Sequence, residues 1–177
     1  MGTRSIRMGV LVGAVVAMAF VLLPGAAGAA VSATYKVSGF EYSATSTEGK
    51  FAGYAVGSSG DAALWNADVE HQALSASCLL SGCSVLPGGS IAIATSGGDT
   101  VGGSFTGGSI TLVRQDAGCA KQIFHVVGEV ATSFGDGTAT FDVALTHYRK
   151  SFFGQCVTYS ATIGRDTTDG IPGTLSF

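Results

Sequence analysis

The sequence predicts an all-β protein built as a single antiparallel meander, most consistent with a closed up-and-down β-barrel. After residue 33 the apolar residues recur with a period of two, and Val and Thr are plentiful. Turn signals such as "TEGK", "SSGD", "SGGD" and "TTDG" separate the apolar runs at short intervals. A β-sandwich of two sheets is the alternative that fits the same pattern, but long strands joined by tight turns favour the barrel.

The N-terminus predicts a secretory signal peptide. Arg4 and Arg7 form a positive region, and an uncharged apolar core follows at Met8–Leu23. A Pro-Gly pair then breaks the helix, and small residues precede a cleavage site after Ala29, with Ala33 as a second candidate. An uncleaved membrane anchor is the alternative, but the core is shorter than the ~20 residues that a span needs.

Residues 1–29 are therefore predicted to be removed, which leaves residues 30–177 as one all-β domain of an exported, extracellular protein. This domain carries seven Lys and Arg against 12 Asp and Glu, a net charge of −5. The cations are scattered, so nucleic acid is disfavoured as a partner. Stable insertion of the mature chain into a membrane is not expected either.

Four cysteines form an even set, which favours two disulfides in an exported protein. Three pairings are possible, of which we favour Cys78–Cys83, across the short "CLLSGC" loop, and Cys119–Cys156, between two β segments. A zinc site is the alternative, but the spacing matches no tight zinc pattern. The sequence predicts neither a metal nor a cofactor.

The predicted elements follow one another in chain order with short links. A short helix is predicted only in "VEHQALSASCLL", and the final "TLSF" is expected to pair with the first strand and close the barrel. The predicted strands are Thr34–Ser46, Phe51–Gly57, Ala62–His71, Ser90–Thr95, Ser104–Arg114, Lys121–Val130, Gly137–Lys150, Val157–Ile163 and Thr174–Phe177.

The alternation also predicts which face of each strand points inward. In "KQIFHVVGEV" the face with Phe124, Val126 and Val130 is more apolar than the face with His125 and Glu129. In two other strands the inward faces are predicted to be Ala63, Trp65, Ala67, Val69 and His71, and Ala139, Phe141, Val143, Leu145 and His147.

Catalytic motifs for Ser hydrolases, nucleotide binding and zinc proteases are absent from the sequence. The weak catalytic candidates are His125 and Glu129, four residues apart on one strand, with His147 on the next strand. Because neighbouring strands lie about 4.8 Å apart, these side chains could meet and share a proton or bind a metal. Surface or rim histidines are the simpler interpretation.

Two further groups of residues have alternative interpretations. Asn66, Asp68 and Glu70 form a stripe that could hold a hard cation, but it is better explained as the solvated face of a strand. The weak ligand-binding candidates are His147, Tyr148, Phe152 and Phe153, around the "KSFFGQ" turn. A pair of phenylalanines in a turn should be buried against its own domain, a partner or a ligand.

These observations predict a secreted, disulfide-stabilised β-domain and favour a non-enzymatic binding protein over an enzyme. Its ligand would be a small apolar or sugar molecule, or a cell-surface or protein partner. One alternative is a small secreted enzyme of the hydrolase or isomerase/cyclase type with a His/Glu site in a barrel. A second alternative is a membrane β-barrel, which the polar residues on several strands and Pro172 disfavour.

Overall fold

The structure, a computed structural model, describes residues 33–134, 137–164 and 170–177. The predicted signal peptide and the predicted cleavage position after Ala29 lie outside the described residues. The ten strands are β1 (Thr34–Ala44), β2 (Glu48–Gly57), β3 (Ala62–Glu70), β4 (Cys83–Ser84), β5 (Gly88–Thr95), β6 (Thr100–Gln115), β7 (Lys121–Thr132), β8 (Thr138–Phe152), β9 (Gln155–Ile163) and β10 (Thr174–Ser176). One α-helix, α1 (Ala76–Ser81), and one 3₁₀ turn (Ala117–Cys119) complete the fold.

The strands form a closed antiparallel barrel with eight positions around its circumference. Two of these positions are each filled by two short strands placed end to end. β4 and β5 both pair with β6, while β9 and β10 both lie between β8 and β1. Pairing of β10 with β1 confirms the predicted role of the terminal "TLSF" segment. The predicted closed barrel is confirmed, since β9 and β10 join β8 to β1 and so close the sheet on itself.

The inward faces predicted from the alternation form the core of the barrel. Phe141, which is fully buried, contacts Trp65 and Phe105, with ring centroids 5.7 Å and 6.2 Å away. The Trp65 indole N–H donates a hydrogen bond of 3.0 Å to the carbonyl of Ser38, which satisfies the one polar group of this cluster. The middle of the barrel is therefore packed with side chains, as expected for eight strands.

Both predicted disulfides are present. Cys78 and Cys83 have Cα atoms 4.7 Å apart, and Cys119 and Cys156 have Cα atoms 5.7 Å apart. The first bond links α1 to β4, and the second links the turn before β7 to β9. The predicted short helix is α1, which begins after Ser75, whose hydroxyl accepts a hydrogen bond from the Cys78 amide. The two disulfides are typical of proteins from an oxidising compartment.

The stripe of Asn66, Asp68 and Glu70 lies on the outer face of β3, opposite the buried Trp65 face. The Lys50 ammonium lies 3.0 Å from Asp68 and 3.1 Å from Glu48. The hydrogen bond that the Lys50 ammonium donates to Asp68, helped by the one that it donates to Glu48, raises the pKa of Lys50 above 10.5. The stripe thus pairs with a cation of the protein itself.

We predict that replacing Lys50 with glutamine costs stability at neutral pH and progressively less at alkaline pH. Because the pKa of Lys50 is raised in the folded state, its contribution is fully present below 10.5 and is lost as the pH rises through the higher folded value. Urea denaturation of the wild type and of Lys50→Gln should therefore give midpoints that converge above pH 10.5. A difference that stays constant with pH would contradict the ion pair.

Candidate functional site

A small cup opens at the end of the barrel where β3 ends and β8 turns into β9. Its volume is about 60 Å³, and its walls are mostly apolar. Phe51, Phe124 and Leu145 form part of these walls, and Leu74 covers one side from the segment before α1. The polar residues at the cup are Glu41, Thr45, His71 and His147. The cup is thus an apolar recess with a few converging polar groups, a common form of ligand site.

Glu41 and His147 form the chemical centre of the cup. Glu41 Oε2 lies 3.2 Å from His147 Nε2, and the two side chains are only 9% and 18% exposed. The two groups are close but poorly aligned, so Nε2 has no hydrogen-bond partner among the described residues. The His147 ring also packs edge-on against Phe124, with 5.0 Å between ring centroids. A buried ring nitrogen without a partner leaves a position where a ligand atom could bind.

Gly49 provides the room for the Glu41 carboxylate. A Cβ atom at this position would lie 2.8 Å from Glu41 Oε1 and 2.8 Å from the Phe51 ring. Either the carboxylate or the ring would have to move, since real Cβ contacts are not that short. The absence of a side chain at Gly49 therefore keeps both the cup and the Glu41 position open.

His71 connects the cup to a second, more polar groove. The ring is buried, and its Nδ1 lies 2.9 Å from the carbonyl of Gln72. Because a carbonyl only accepts, Nδ1 carries the proton in this contact. The adjoining groove of about 370 Å³ shares His71 and Thr45 with the cup, and is also lined by Glu48, Glu70 and Gln72.

The structure does not bring the three catalytic candidates together. His147 points into the cup, whereas His125 and Glu129 lie on the outer face of β7, opposite the buried Phe124 and Val126. His125 instead pairs with the Asp142 carboxylate, at 2.8 Å from its Nε2 atom. The candidate site of His125, Glu129 and His147 is therefore not formed, and His147 lies beside Glu41 instead.

The ligand-binding candidates are also placed differently from one another. His147 lies in the cup, while Tyr148 faces outward, with the Lys121 ammonium 5.9 Å from its ring centroid. Phe152 and Phe153 lie at the tip of the β8–β9 hairpin and are 57% and 94% exposed. Of the three possibilities for this pair, its own domain does not bury it, which leaves a partner or a ligand.

The sequence reasoning overlooked Glu41 as a site residue. Glu41 falls on the same face of β1 as the buried Val37, because these positions differ by an even number of residues. The signal was an acidic residue on a core-facing position, which is uncommon unless it is paired. Its partner, His147, is more than a hundred residues away in the chain, so only the closed barrel brings the two together.

No group of three or more His, Cys, Asp and Glu side chains among the described residues is arranged to hold a metal ion. None of the helices in the described parts of the chain has the length and apolar character to cross a membrane. Comparison of the chain with protein families, curated proteins and solved structures gives no match. The function is therefore inferred from the site alone.

Proposed function

We propose that this protein is an exported binding domain that takes up one end of a small amphiphilic molecule in the cup at the end of the barrel. The observation that carries the proposal is the Glu41–His147 pair, buried among apolar walls with one ring nitrogen unpartnered among the described residues. The predicted signal peptide and the two disulfides support export.

The shape of the site supports an amphiphile over a purely apolar ligand or a sugar. A cup of about 60 Å³ admits only the end of a ligand, since drug-sized sites measure roughly 300–1,000 Å³. The apolar walls favour a short hydrocarbon group there. The rest of the molecule would then lie in the polar groove beyond His71.

The charge of the site supports a ligand that donates hydrogen bonds. Glu41 is an acceptor in the cup, and Glu48 and Glu70 add carboxylates along the groove. An amine or alcohol would satisfy Glu41, whereas a carboxylate ligand would be repelled. The protein is therefore proposed to prefer small aliphatic amines and alcohols to the corresponding acids.

The test is titration of the protein with n-butylamine, n-butanol and butanoate, followed by NMR. Shifts of the Phe124, His71 and His147 signals are expected for the amine and the alcohol, and much smaller shifts for butanoate. The Glu41→Gln variant should bind n-butylamine about tenfold more weakly, because a hydrogen bond to a charged acceptor is about 1–2 kcal/mol stronger than one to a neutral acceptor.

Two matched controls separate the cup from the rest of the surface. Glu129→Gln removes an exposed carboxylate from the outer face of β7 and should leave binding unchanged. Gly49→Ala should abolish binding by filling the space beside Glu41, whereas at Gly107 an added Cβ meets only Glu129 Oε2, at 3.9 Å, so that Gly107→Ala should bind normally. Equal binding by Glu41→Gln and Glu129→Gln would reject the proposal.

A small hydrolase is the second candidate, because a histidine beside a carboxylate is also the arrangement of a general acid–base pair. The specific observation is the 3.2 Å separation of His147 Nε2 and Glu41 Oε2 in a cup with mostly apolar walls. Hydrolysis of p-nitrophenyl butanoate distinguishes the two functions. Turnover that disappears in His147→Gln would favour the enzyme, and no turnover above background is expected for the binding domain.

A further inference from the structure

The β8–β9 hairpin extends beyond the barrel as a two-stranded ribbon. The last residue of β8 that pairs with β7 is Tyr148, opposite Lys121. On the other side, β9 pairs with β1 only through Thr162 and Ile163. Because a strand rises about 3.3 Å per residue, the tip at Phe153 lies roughly 16 Å beyond Tyr148. The ribbon therefore projects from the same end of the barrel as the cup.

The tip of this ribbon is aromatic and exposed. The rings of Phe152 and Phe153 contact each other edge-on, with centroids 4.5 Å apart. Directly opposite residues share a face of an antiparallel pair, so Val157 lies on the same face as Lys150, and Gln155 on the same face as Phe152. One face of the ribbon therefore carries Phe152 at its outer end, with Lys150 and Val157 opposite each other behind it, and Phe153 lies at the point.

The backbone geometry of the turn indicates that Phe153 does not stabilise the folded protein. Phe153 and Gly154 both have positive φ, 48° and 75°, the geometry of a two-residue hairpin turn with both central residues left-handed. Asn, Asp and Gly are favoured at the first of these positions, while a bulky residue is strained there. A phenylalanine that is 94% exposed contributes almost no packing to offset this strain.

The charged residues of the β8–β9 hairpin are all basic. Residues 143–164 include Arg149 and Lys150 but no Asp or Glu, although the predicted mature domain has a net charge of −5. These two cations lie three to four residues behind Phe153, or roughly 10–13 Å along the strand. The tip itself lies roughly 16 Å beyond Tyr148, where the ribbon leaves the barrel, and this exceeds the Debye length of about 8 Å at physiological salt. The acidic side chains of the barrel are therefore largely screened at the tip.

We propose that the β8–β9 hairpin docks onto an anionic lipid surface. Phe152 and Phe153 would enter the boundary between headgroups and acyl chains, which aromatic side chains favour. Arg149 and Lys150 would then lie at the level of the lipid phosphates. This spacing matches the burial depth of about 5–10 Å that interfacial segments reach. The strands of the barrel remain outside the bilayer.

A lipid surface fits this tip better than a protein partner does. A stable protein interface buries about 800 Å² on each side, which the tip of a two-stranded ribbon does not offer. Docking onto a bilayer requires only a few apolar side chains at the tip and basic side chains close behind them. Cys156, two residues after Gly154, forms the disulfide bond with Cys119 that ties the hairpin to the barrel. Because this bond restricts the hairpin before docking, less conformational entropy is lost on docking.

Sedimentation with vesicles tests the proposal on the mature protein. The wild type is expected to sediment with vesicles of phosphatidylcholine mixed with phosphatidylglycerol, and only weakly with pure phosphatidylcholine. Arg149→Gln with Lys150→Gln should weaken binding to the anionic vesicles about 25-fold, since each cation near the surface contributes about fivefold. Binding should also fall as salt is raised.

The Phe153→Asn variant separates docking from folding. Asparagine suits the left-handed turn position, so the variant should be as stable as the wild type or more stable while binding vesicles at least fivefold more weakly. The matched control is Phe134→Asn, which removes another exposed phenylalanine, in the turn after β7 at the opposite end of the barrel. It should bind like the wild type.

Two results would overturn the proposal. One is absence of wild-type sedimentation with both kinds of vesicle, which would leave the exposed tip to a protein partner. The other is equal weakening by Phe153→Asn and Phe134→Asn, which would mean that the hairpin is not the docking element. Neither result depends on the cup, because the Glu41→Gln variant is expected to sediment like the wild type.

Discussion

Replacing Phe141 with alanine is expected to lower the free energy of unfolding by about 3–5 kcal/mol. Phe141 is fully buried in the middle of the barrel and contacts Trp65 and Phe105. Removing its ring would leave a cavity between two large aromatic side chains, and the closed sheet around them cannot collapse to fill it. Urea denaturation followed by Trp65 fluorescence measures the loss directly.

The matched control for this prediction is Phe153→Ala, which removes the same ring from the hairpin tip. Because that ring is 94% exposed, its loss should change the free energy of unfolding by no more than about 0.5 kcal/mol. Similar losses for the two variants would show that the ring cluster around Phe141 does not stabilise the barrel as described.

Removing the Cys119–Cys156 bond, by replacing both residues with alanine, is expected to cost about 4 kcal/mol. The bond closes a loop with a sequence separation of 37 residues, so its loss restores much conformational freedom to the unfolded chain. It also releases the β8–β9 ribbon, whose outer part has no other neighbouring strand. Denaturation without reducing agent, together with amide exchange in β9, reports both effects.

The Cys78–Cys83 bond provides the comparison. Its sequence separation is only 5, for which the same entropy argument predicts about 2 kcal/mol. Loss of Cys83 packing in the core adds to that cost, so faster amide exchange confined to the hairpin is the sharper distinction. If the Cys119–Cys156 variant showed no faster exchange in β9 than the Cys78–Cys83 variant, the bond would not be what holds the hairpin.

The fold was predictable because local pattern and global structure agree along most of the chain. Ala139, Phe141, Val143 and Leu145 recur with a period of two, and they do face the core. The preference for Cys119–Cys156 rested on two β segments that had to lie near each other, and the barrel brings them together. Such signals are readable because a period of two assigns every residue of a strand to one face.

The site was predictable only in part. His147 was identified as a rim residue from its position at the end of the inward face of β8, and it does line the cup. Its partner was predicted to be Glu129 on the neighbouring strand, whereas the structure pairs it with Glu41 on β1. Alternation alone placed His125 and Glu129 on the less apolar face, which turned out to be the outer face.

The sequence by itself determined the class of fold and the inward faces of the strands, because these depend on periodicity within each strand. It limited a short helix to one stretch and favoured one of three cysteine pairings, and the tertiary structure decided among those pairings. Only the tertiary structure decided that Glu41 meets His147, that Gly49 leaves room for them, and that Phe152 and Phe153 remain exposed. Closure of the barrel brings Glu41 and Gly49 close to His147, since it joins β1 to the last strands of the chain. Phe152 and Phe153 remain exposed because the β8–β9 ribbon extends past its neighbouring strands. That extension depends on strand length and register, which composition does not encode.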